Sequence, residues 1–438
     1  MKFHYQNINA QKTVQLQTVG PIDATVRPPG SKSITNRAFI CAALAEGKSH
    51  LTGVLESVDT TVMSEALGLL GVTCDRDLVA KTASVAGCGG HFPKSSSLID
   101  AQNSGTTIRF LTAAVAISQG DYTLDGVERM RQRPIRDLVD ALAQLDINIF
   151  CKNDDGCPPV RVNNSELPPL RGGTVRVAGD VSSQYLSALL MALVCAKEDI
   201  RIEVIGTLVS RPYIAMTLCV MAAFGATVEV IGDYEAFLIP AESQYRPTDY
   251  AIEPDASAAS YFLGAAAITG GRVTIDGLSQ NALQGDIHFA DLLEQMGCKV
   301  TWGADSVTVT AGEKLVGIDA EMNAISDTVQ TLAAVALFAE GPTTIRNVAH
   351  IRYKETDRIG DLATELRKFG ATVEEFEDGM KITPSELHGA TIDTYDDHRM
   401  AMALSLVGLR QEGVVICDPD CTSKTYPDFF EVLGDCWK

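Results

Sequence analysis

The chain reads as an α/β protein of two similar domains, and three features of its 438 residues carry that expectation. Alanine-rich apolar runs close at Gly47, Gly120, Lys197, Gly270, Gly341 and Gly413, at intervals of 73, 77, 73, 71 and 72 residues. Short β-like runs follow them, as in Arg272-Val273-Thr274-Ile275 and Thr343-Thr344-Ile345, so a helix–strand unit repeats six times. A second series of amphipathic helices closes at Leu70-Gly71, Leu145-Asp146, Phe224-Gly225, Met296-Gly297, Phe369-Gly370 and Leu433-Gly434. Glycine there supplies a left-handed helix cap, with Asp146 as the one substitution.

Each repeat therefore holds two helices and several strands, an α+β unit that buries its helices against a sheet. A chain this long exceeds one ordinary core. Three repeats fall in residues 29–252 and three in 253–438. The sixth runs out before its closing strand, which residues 1–28 supply through the alternating Thr13-Val14-Gln15-Leu16-Gln17 and Ala24-Thr25-Val26. The expected second domain is thus 253–438 plus 1–28. A linear solenoid is the rival, but repeats without terminal caps fit compact domains better.

A net charge of -20 argues against nucleic acid or an anionic membrane as the main partner, so an anionic ligand must be caught by local cations. No 18-residue apolar run and no apolar leader after Met1-Lys2-Phe3-His4 is visible, and a cytoplasmic protein is expected. The eleven cysteines read as buried reduced thiols. Cys417 and Cys421 have no second pair or histidine at zinc spacing, and no metal is expected.

The starts of the alanine-rich helices carry the chemistry. Pro29-Gly30-Ser31-Lys32-Ser33-Ile34-Thr35-Asn36-Arg37 is a glycine turn entering a helix, with Ser33 or Thr35 as cap and free N–H groups for an anion. It lacks the upstream glycine of a nucleotide P-loop. The other starts read Asn103-Ser104-Gly105-Thr106, Ser182-Ser183-Gln184, Asp255-Ala256-Ser257, Ser326-Asp327-Thr328 and Asp396-Asp397-His398-Arg399. Capping alone would explain such residues, but Lys32, Arg37, Arg109 and Arg399 stand where the helix dipole disfavours cations. Cations kept at positive helix ends imply an anion among them. The loop with Arg129, Arg131 and Arg133 has few nearby acids and reads the same way.

These residues resemble the enolpyruvyl transferase family, and within it 5-enolpyruvylshikimate-3-phosphate synthase, along essentially the whole chain. The marks are Pro29–Ala38, Asn103–Arg109, Arg133-Pro134-Ile135, Ser182-Ser183-Gln184, Arg352-Tyr353-Lys354-Glu355-Thr356-Asp357-Arg358, Asp397–Ala401 and Lys424. The resemblance implies two domains of three β-α-β-α-β-β units, of inside-out barrel type, with the active site in the cleft between them. It implies transfer of the enolpyruvyl group of phosphoenolpyruvate to the 5-hydroxyl of shikimate 3-phosphate, by addition and elimination through a tetrahedral ketal. No cofactor is implied, and the expected partners are the two small substrates of a monomeric enzyme that glyphosate inhibits.

Matched by position, the family pattern puts shikimate 3-phosphate on Lys32, Ser33, Arg37, Ser182, Ser183, Gln184, Ser210, Tyr213, Asp327, His350 and Lys354. It puts phosphoenolpyruvate on Lys32, Gly105, Arg133, Gln184, Arg358, Arg399 and Lys424. Lys32, Asp327 and Glu355 are the implied catalytic residues: Asp327 for the 5-hydroxyl proton, Glu355 for the proton at the methylene carbon. Three positions depart from the commoner pattern: His350 for asparagine, Arg211 for lysine and Phe110 for proline. The alternatives are the sister enzyme acting on UDP-N-acetylglucosamine, whose reactive loop cysteine is missing from Asp125–Arg133, and a non-catalytic repeat protein that binds anions.

Overall fold

The computed structural model describes residues 4–8, 11–165 and 170–437; Met1, Lys2 and Phe3, read above for a leader, lie outside them. The chain forms two compact units, Gly30–Ile252 and Met1–Pro29 with Glu253–Lys438, called here the middle and the closing unit. Helices of the middle unit are α1 (Lys32–Leu44), α2 (Val58–Leu69), α3 (Gly105–Ala116), α4 (Arg136–Ala143), α5 (Ser183–Leu193) and α6 (Arg211–Ala223). Those of the closing unit are α7 (Ala256–Thr269), α8 (Phe289–Gln295), α9 (Val329–Ala336), α10 (Gly360–Lys368), α11 (His398–Ser405) and α12 (Phe429–Asp435).

Six four-stranded sheets share one pattern among the described residues: a first strand parallel to a second, then two antiparallel additions. In the middle unit Asp249–Ala251 runs parallel to Glu46–Thr52, which is followed by Thr82–Cys88 and Thr73–Asp77. Ser96–Asp100 and Asp121–Asp125 open the second sheet, and Gly173–Ala178 and Ile200–Ile205 the third. The first repeat thus borrows its opening strand from the far end of its own unit.

The closing unit borrows differently. Asp23–Val26 opens the fourth sheet beside Arg272–Asp276, whereas Gln11–Gln15 and His4–Ile8 complete the sixth beside Val415–Cys417. The sequence suggested one missing strand in the sixth repeat; the first 28 residues supply two there and one to the fourth. The reason is that the segment carries three short alternating runs, and each unpaired sheet edge takes one.

The odd-numbered helices are buried on nearly every face and the even-numbered ones on one side, so each unit centres on three apolar helices. In the middle unit α1, α3 and α5 pack on one another, and in the closing unit α9 packs on both α7 and α11. The left-handed residue after the outer helices is as expected at Gly71, Gly225, Gly297 and Gly370, with φ of 89°, 89°, 105° and 99°, and Asp146 takes the same conformation at 58°. Gly434 departs from the series, lying inside α12 rather than after it. Gly47 likewise sits within the strand Glu46–Thr52, because α1 already ends at Leu44.

Hydrogen bonds show that the inner helices start at the same end of each unit. Asn36 Nδ2 near the start of α1 donates to Thr106 Oγ1 at the start of α3 (2.7 Å), and Arg109 Nη1 of α3 donates to Gln184 Oε1 at the start of α5 (3.0 Å). In the closing unit Ser260 of α7 meets Thr331 of α9 (3.0 Å between hydroxyl oxygens), and Arg399 of α11 reaches Tyr261 of α7 (3.3 Å). Within each unit the candidate residues at the inner helix starts therefore gather at one helical end.

Candidate active site

None of the six inner helices has an acid in its first turn, whereas outer helices α2, α4, α8, α10 and α12 do. Outer helices follow the dipole rule and inner ones leave their positive ends open to another anion. The cap of α1 is Ser31, whose Oγ accepts from Ile34 N–H (3.3 Å); Ser33 and Thr35 lie inside the helix. Gly30 forces that register, since a Cβ there would sit 1.9 Å from the Gly53 carbonyl oxygen. Thr35 instead accepts from the Leu55 N–H (3.3 Å).

Lys32, the first residue of α1, has its ammonium 3.5 Å from the buried carboxylate of Asp59. Arg37, 1% exposed, donates from Nε to Thr217 Oγ1 (2.7 Å), from Nη1 to the Ser33 carbonyl (3.0 Å) and from Nη2 to Ser187 Oγ (3.2 Å). Burial lowers its pKa to about 10, so it keeps its charge at neutral pH. The Phe110 ring lies 5.1 Å from its guanidinium carbon and the Tyr213 ring 6.0 Å. Phe110 thus occupies the core beneath Arg37.

Gly105 opens α3 behind the Ser104 cap, and its missing side chain is needed. A Cβ there would lie 2.6 Å from Arg133 Nη2 and 2.7 Å from Arg109 Nη1. Two guanidinium groups therefore rest on one glycine. Arg133 also donates to the Asn103 carbonyl (3.2 Å), and the other arginines of its loop behave differently. Arg131 is exposed and paired with Asp125 (2.6 Å), so the loop is not uniformly an anion contact: a nearby acid takes Arg131, leaving Arg133 buried. Ser182 caps α5 through Gln184 N–H (3.3 Å) and Ser183 is its first residue. Ser210, with φ of 53°, turns the chain into α6, whose second and third residues are Pro212 and Tyr213.

In the closing unit Asp327 does not cap α9, whose start has no side-chain cap bond. Its carboxylate instead accepts from Arg399 Nη2 (2.7 Å), Arg358 Nη1 (3.3 Å) and Lys354 Nζ (3.4 Å). Arg358, also 1% exposed, pairs with Glu355 (2.8 Å) and forks onto Asp397 through Nε (2.7 Å) and Nη2 (3.1 Å). Burial alone would lower the Arg358 pKa, but Asp397, Glu355 and Asp327 outweigh it and raise the pKa. Lys354 is lowered by burial, against the pull of Asp327. The Lys354–Arg358 stretch precedes α10, which begins at Gly360, and Glu355 and Arg358 within it are buried.

His350 Nε2 lies 3.0 Å from Ser326 Oγ, and burial, then Lys354, lowers the ring to about 4. It is a neutral hydrogen-bonding group at pH 7. Lys424, buried, ends a short 3-10 turn starting at Pro419. Of three further groups central to the geometry, Asp59 beside Lys32 had no part in the sequence reading, while Asp397 beneath Arg358 and Arg109 between Gly105 and Gln184 were read only as a capping residue and a helix-end cation. Asp397 was legible as a cap, which it is, through Arg399 N–H (2.9 Å); its second task needs the tertiary fold. No group of three or more metal-ligating side chains, and no helix long and apolar enough to cross a membrane, occurs among the described residues.

Comparison with known proteins adds the chemistry. The family model described as EPSP synthase (3-phosphoshikimate 1-carboxyvinyltransferase) matches residues 16–433. The chloroplastic 3-phosphoshikimate 1-carboxyvinyltransferase of Brassica napus is 48% identical over 442 residues, covering 97% of this chain and 85% of its own. The enzyme of that name from Erwinia tasmaniensis is 48% identical over 427 residues, covering 97% and 98%. A solved EPSP synthase from Acinetobacter baumannii matches with a TM-score of 0.80 at 25% identity, over 96% of this chain and 97% of that one.

Proposed function

Since this chain belongs to the EPSP synthase family and transfers the enolpyruvyl group of phosphoenolpyruvate to shikimate 3-phosphate, we propose that its middle-unit cluster captures anions while its closing-unit cluster both captures anions and moves protons. Neither the UDP-N-acetylglucosamine enzyme nor an idle anion-binding protein is favoured by the relatives. The observation that carries the division is Asp327, a carboxylate set among Arg399, Arg358 and Lys354 where a mere anion trap would have no acid.

In this reading Lys32, Ser33, Arg37, Ser182, Ser183, Gln184, Ser210, Tyr213, His350 and Lys354 bind shikimate 3-phosphate, Arg37 chiefly by holding the Ser33 carbonyl from beneath. Lys32, Gly105, Arg133, Gln184, Arg358, Arg399 and Lys424 bind phosphoenolpyruvate. Guanidinium forks match its phosphate and carboxylate, and Gly105 lets them approach the backbone. As substrate anions engage Arg358, Arg399 and Lys354, those cations loosen their hold on Asp327. The freed carboxylate then accepts the proton of the 5-hydroxyl as that oxygen bonds to the central carbon of phosphoenolpyruvate.

Glu355, paired with Arg358, gives a proton to the methylene carbon in the addition and takes one back in the elimination. Phosphate leaves with the C–O electron pair and the double bond returns. The same reading makes the enzyme cytoplasmic and monomeric. The experiment is phosphate release from phosphoenolpyruvate: dependence on shikimate 3-phosphate supports it, and dependence on UDP-N-acetylglucosamine overturns it.

A further inference from the structure

We infer that Arg109 is a positioning residue that orients the Gln184 amide for the phosphoenolpyruvate site, an inference that rests on the binding roles just proposed. Arginine carries only donors, so the Gln184 atom 3.0 Å from Arg109 Nη1 is the carbonyl oxygen. The amide NH2 is then at the opposite corner of the planar group, left to donate. An amide turned the other way would set donor against donor here and offer its oxygen to an anion. One hydrogen bond thus decides whether Gln184 attracts or repels phosphate.

The same guanidinium also holds backbone at or beside two further middle-unit residues of that site, Gly105 and Arg133. Nη1 also donates to the Gly105 carbonyl (3.3 Å), and Nη2 to the carbonyl of Pro134 (3.0 Å), the residue that follows Arg133. Its carbon lies 5.6 Å from the Tyr185 ring centre, which fixes the plane from the side. All three acceptors are neutral, and among the described residues no carboxylate pairs with Arg109. A buried charge left uncompensated in this way is costly unless it serves a ligand, and its charge adds to that of Arg133 across Gly105.

The test is a double-mutant cycle of Arg109→Lys and Gln184→Met, read as separate Michaelis constants for the two substrates and as kcat. Lysine keeps the charge but not the fork. Arg109→Lys should raise the phosphoenolpyruvate KM at least tenfold, raise that of shikimate 3-phosphate, which Gln184 also binds, no more than Gln184→Met does, and add less than about threefold to Gln184→Met in the double variant. Additive effects, or a shikimate 3-phosphate loss larger than that of Gln184→Met, would overturn the positioning role. If Gln184→Met itself leaves the phosphoenolpyruvate KM unchanged, the binding assignment of Gln184 fails and the inference falls with it. Should Arg109→Lys not fold, Gln184→Glu decides: a carboxylate facing Arg109 should raise Tm, and an unchanged or lower Tm contradicts the orientation.

Discussion

At the inner helix starts of the middle unit the buried arginines Arg37 and Arg109 meet neutral oxygens; at those of the closing unit Arg358 and Arg399 meet carboxylates. The helices are alike, buried and free of acids in their first turns, so the difference lies in what faces them. A guanidinium bound by neutral acceptors keeps its whole field for an incoming anion, while one bound by carboxylates shares its field between them and the substrate. What the second arrangement gains is a set of acids in a dry site, which can move protons. One repeat architecture has thus been specialised twice.

The strongest break of this comparison is Asp327→Asn, which keeps the shape but removes the proposed proton acceptor and sets an amide NH2 against one of the cations. Turnover of the folded variant should fall by roughly 100-fold to 10,000-fold, with some loss of Tm from the cations it strands. Activity within threefold of the parent would end the proton-transfer role. The next effect is on stability. Arg358→Met strands Asp397, Glu355 and Asp327 and should cost about 3–5 kcal/mol, against about 1–3 kcal/mol for Arg37→Met, which strands only neutral oxygens. Equal losses in urea unfolding would show that the two arginine environments do not differ as described.

His350 sharpens the closing-unit side through pH. Its ring takes a proton at about 4 in the fold against 6.5 ordinarily, so between those values the unfolded chain binds a proton that the folded one does not. That contribution lowers stability as pH falls from 6.5 towards 4 and vanishes above. His350→Asn should therefore lose about 2 kcal/mol less than the parent between pH 7 and pH 5. Parallel pH profiles would refute the buried neutral ring. The smallest effect is expected at Gly105→Ala, whose Cβ pushes aside only the flexible ends of Arg133 and Arg109. Tm should hold while the phosphoenolpyruvate KM rises about tenfold, or 1.4 kcal/mol; an unchanged KM would detach Gly105 from the anion site.

Much of this was legible beforehand because period and capping are local properties. The sixfold spacing, the left-handed Asp146 and the capping starts all follow from neighbours within a turn or two. What escaped depends on distant pairings. The strand Asp23–Val26 joins Arg272–Asp276 across 249 positions for Asp23 and Arg272, and no local pattern names that partner. The Arg129–Arg133 loop looked uniformly basic until Asp125 folded back onto Arg131. Asp397 and Arg109 stood in view as a cap and a helix cation, but their bonds to Arg358 and Gln184 exist only in the tertiary fold.

The division of labour is tested most directly by measuring binding and hydrogen exchange together in Glu355→Gln. In heavy water with both substrates, the account predicts calorimetric affinity for phosphoenolpyruvate within about threefold of the parent, but deuterium entry into its methylene group and phosphate release each reduced at least 100-fold. Deuterium entry and phosphate release at the parent rate in the folded variant would contradict it, and so would binding lost in proportion to turnover.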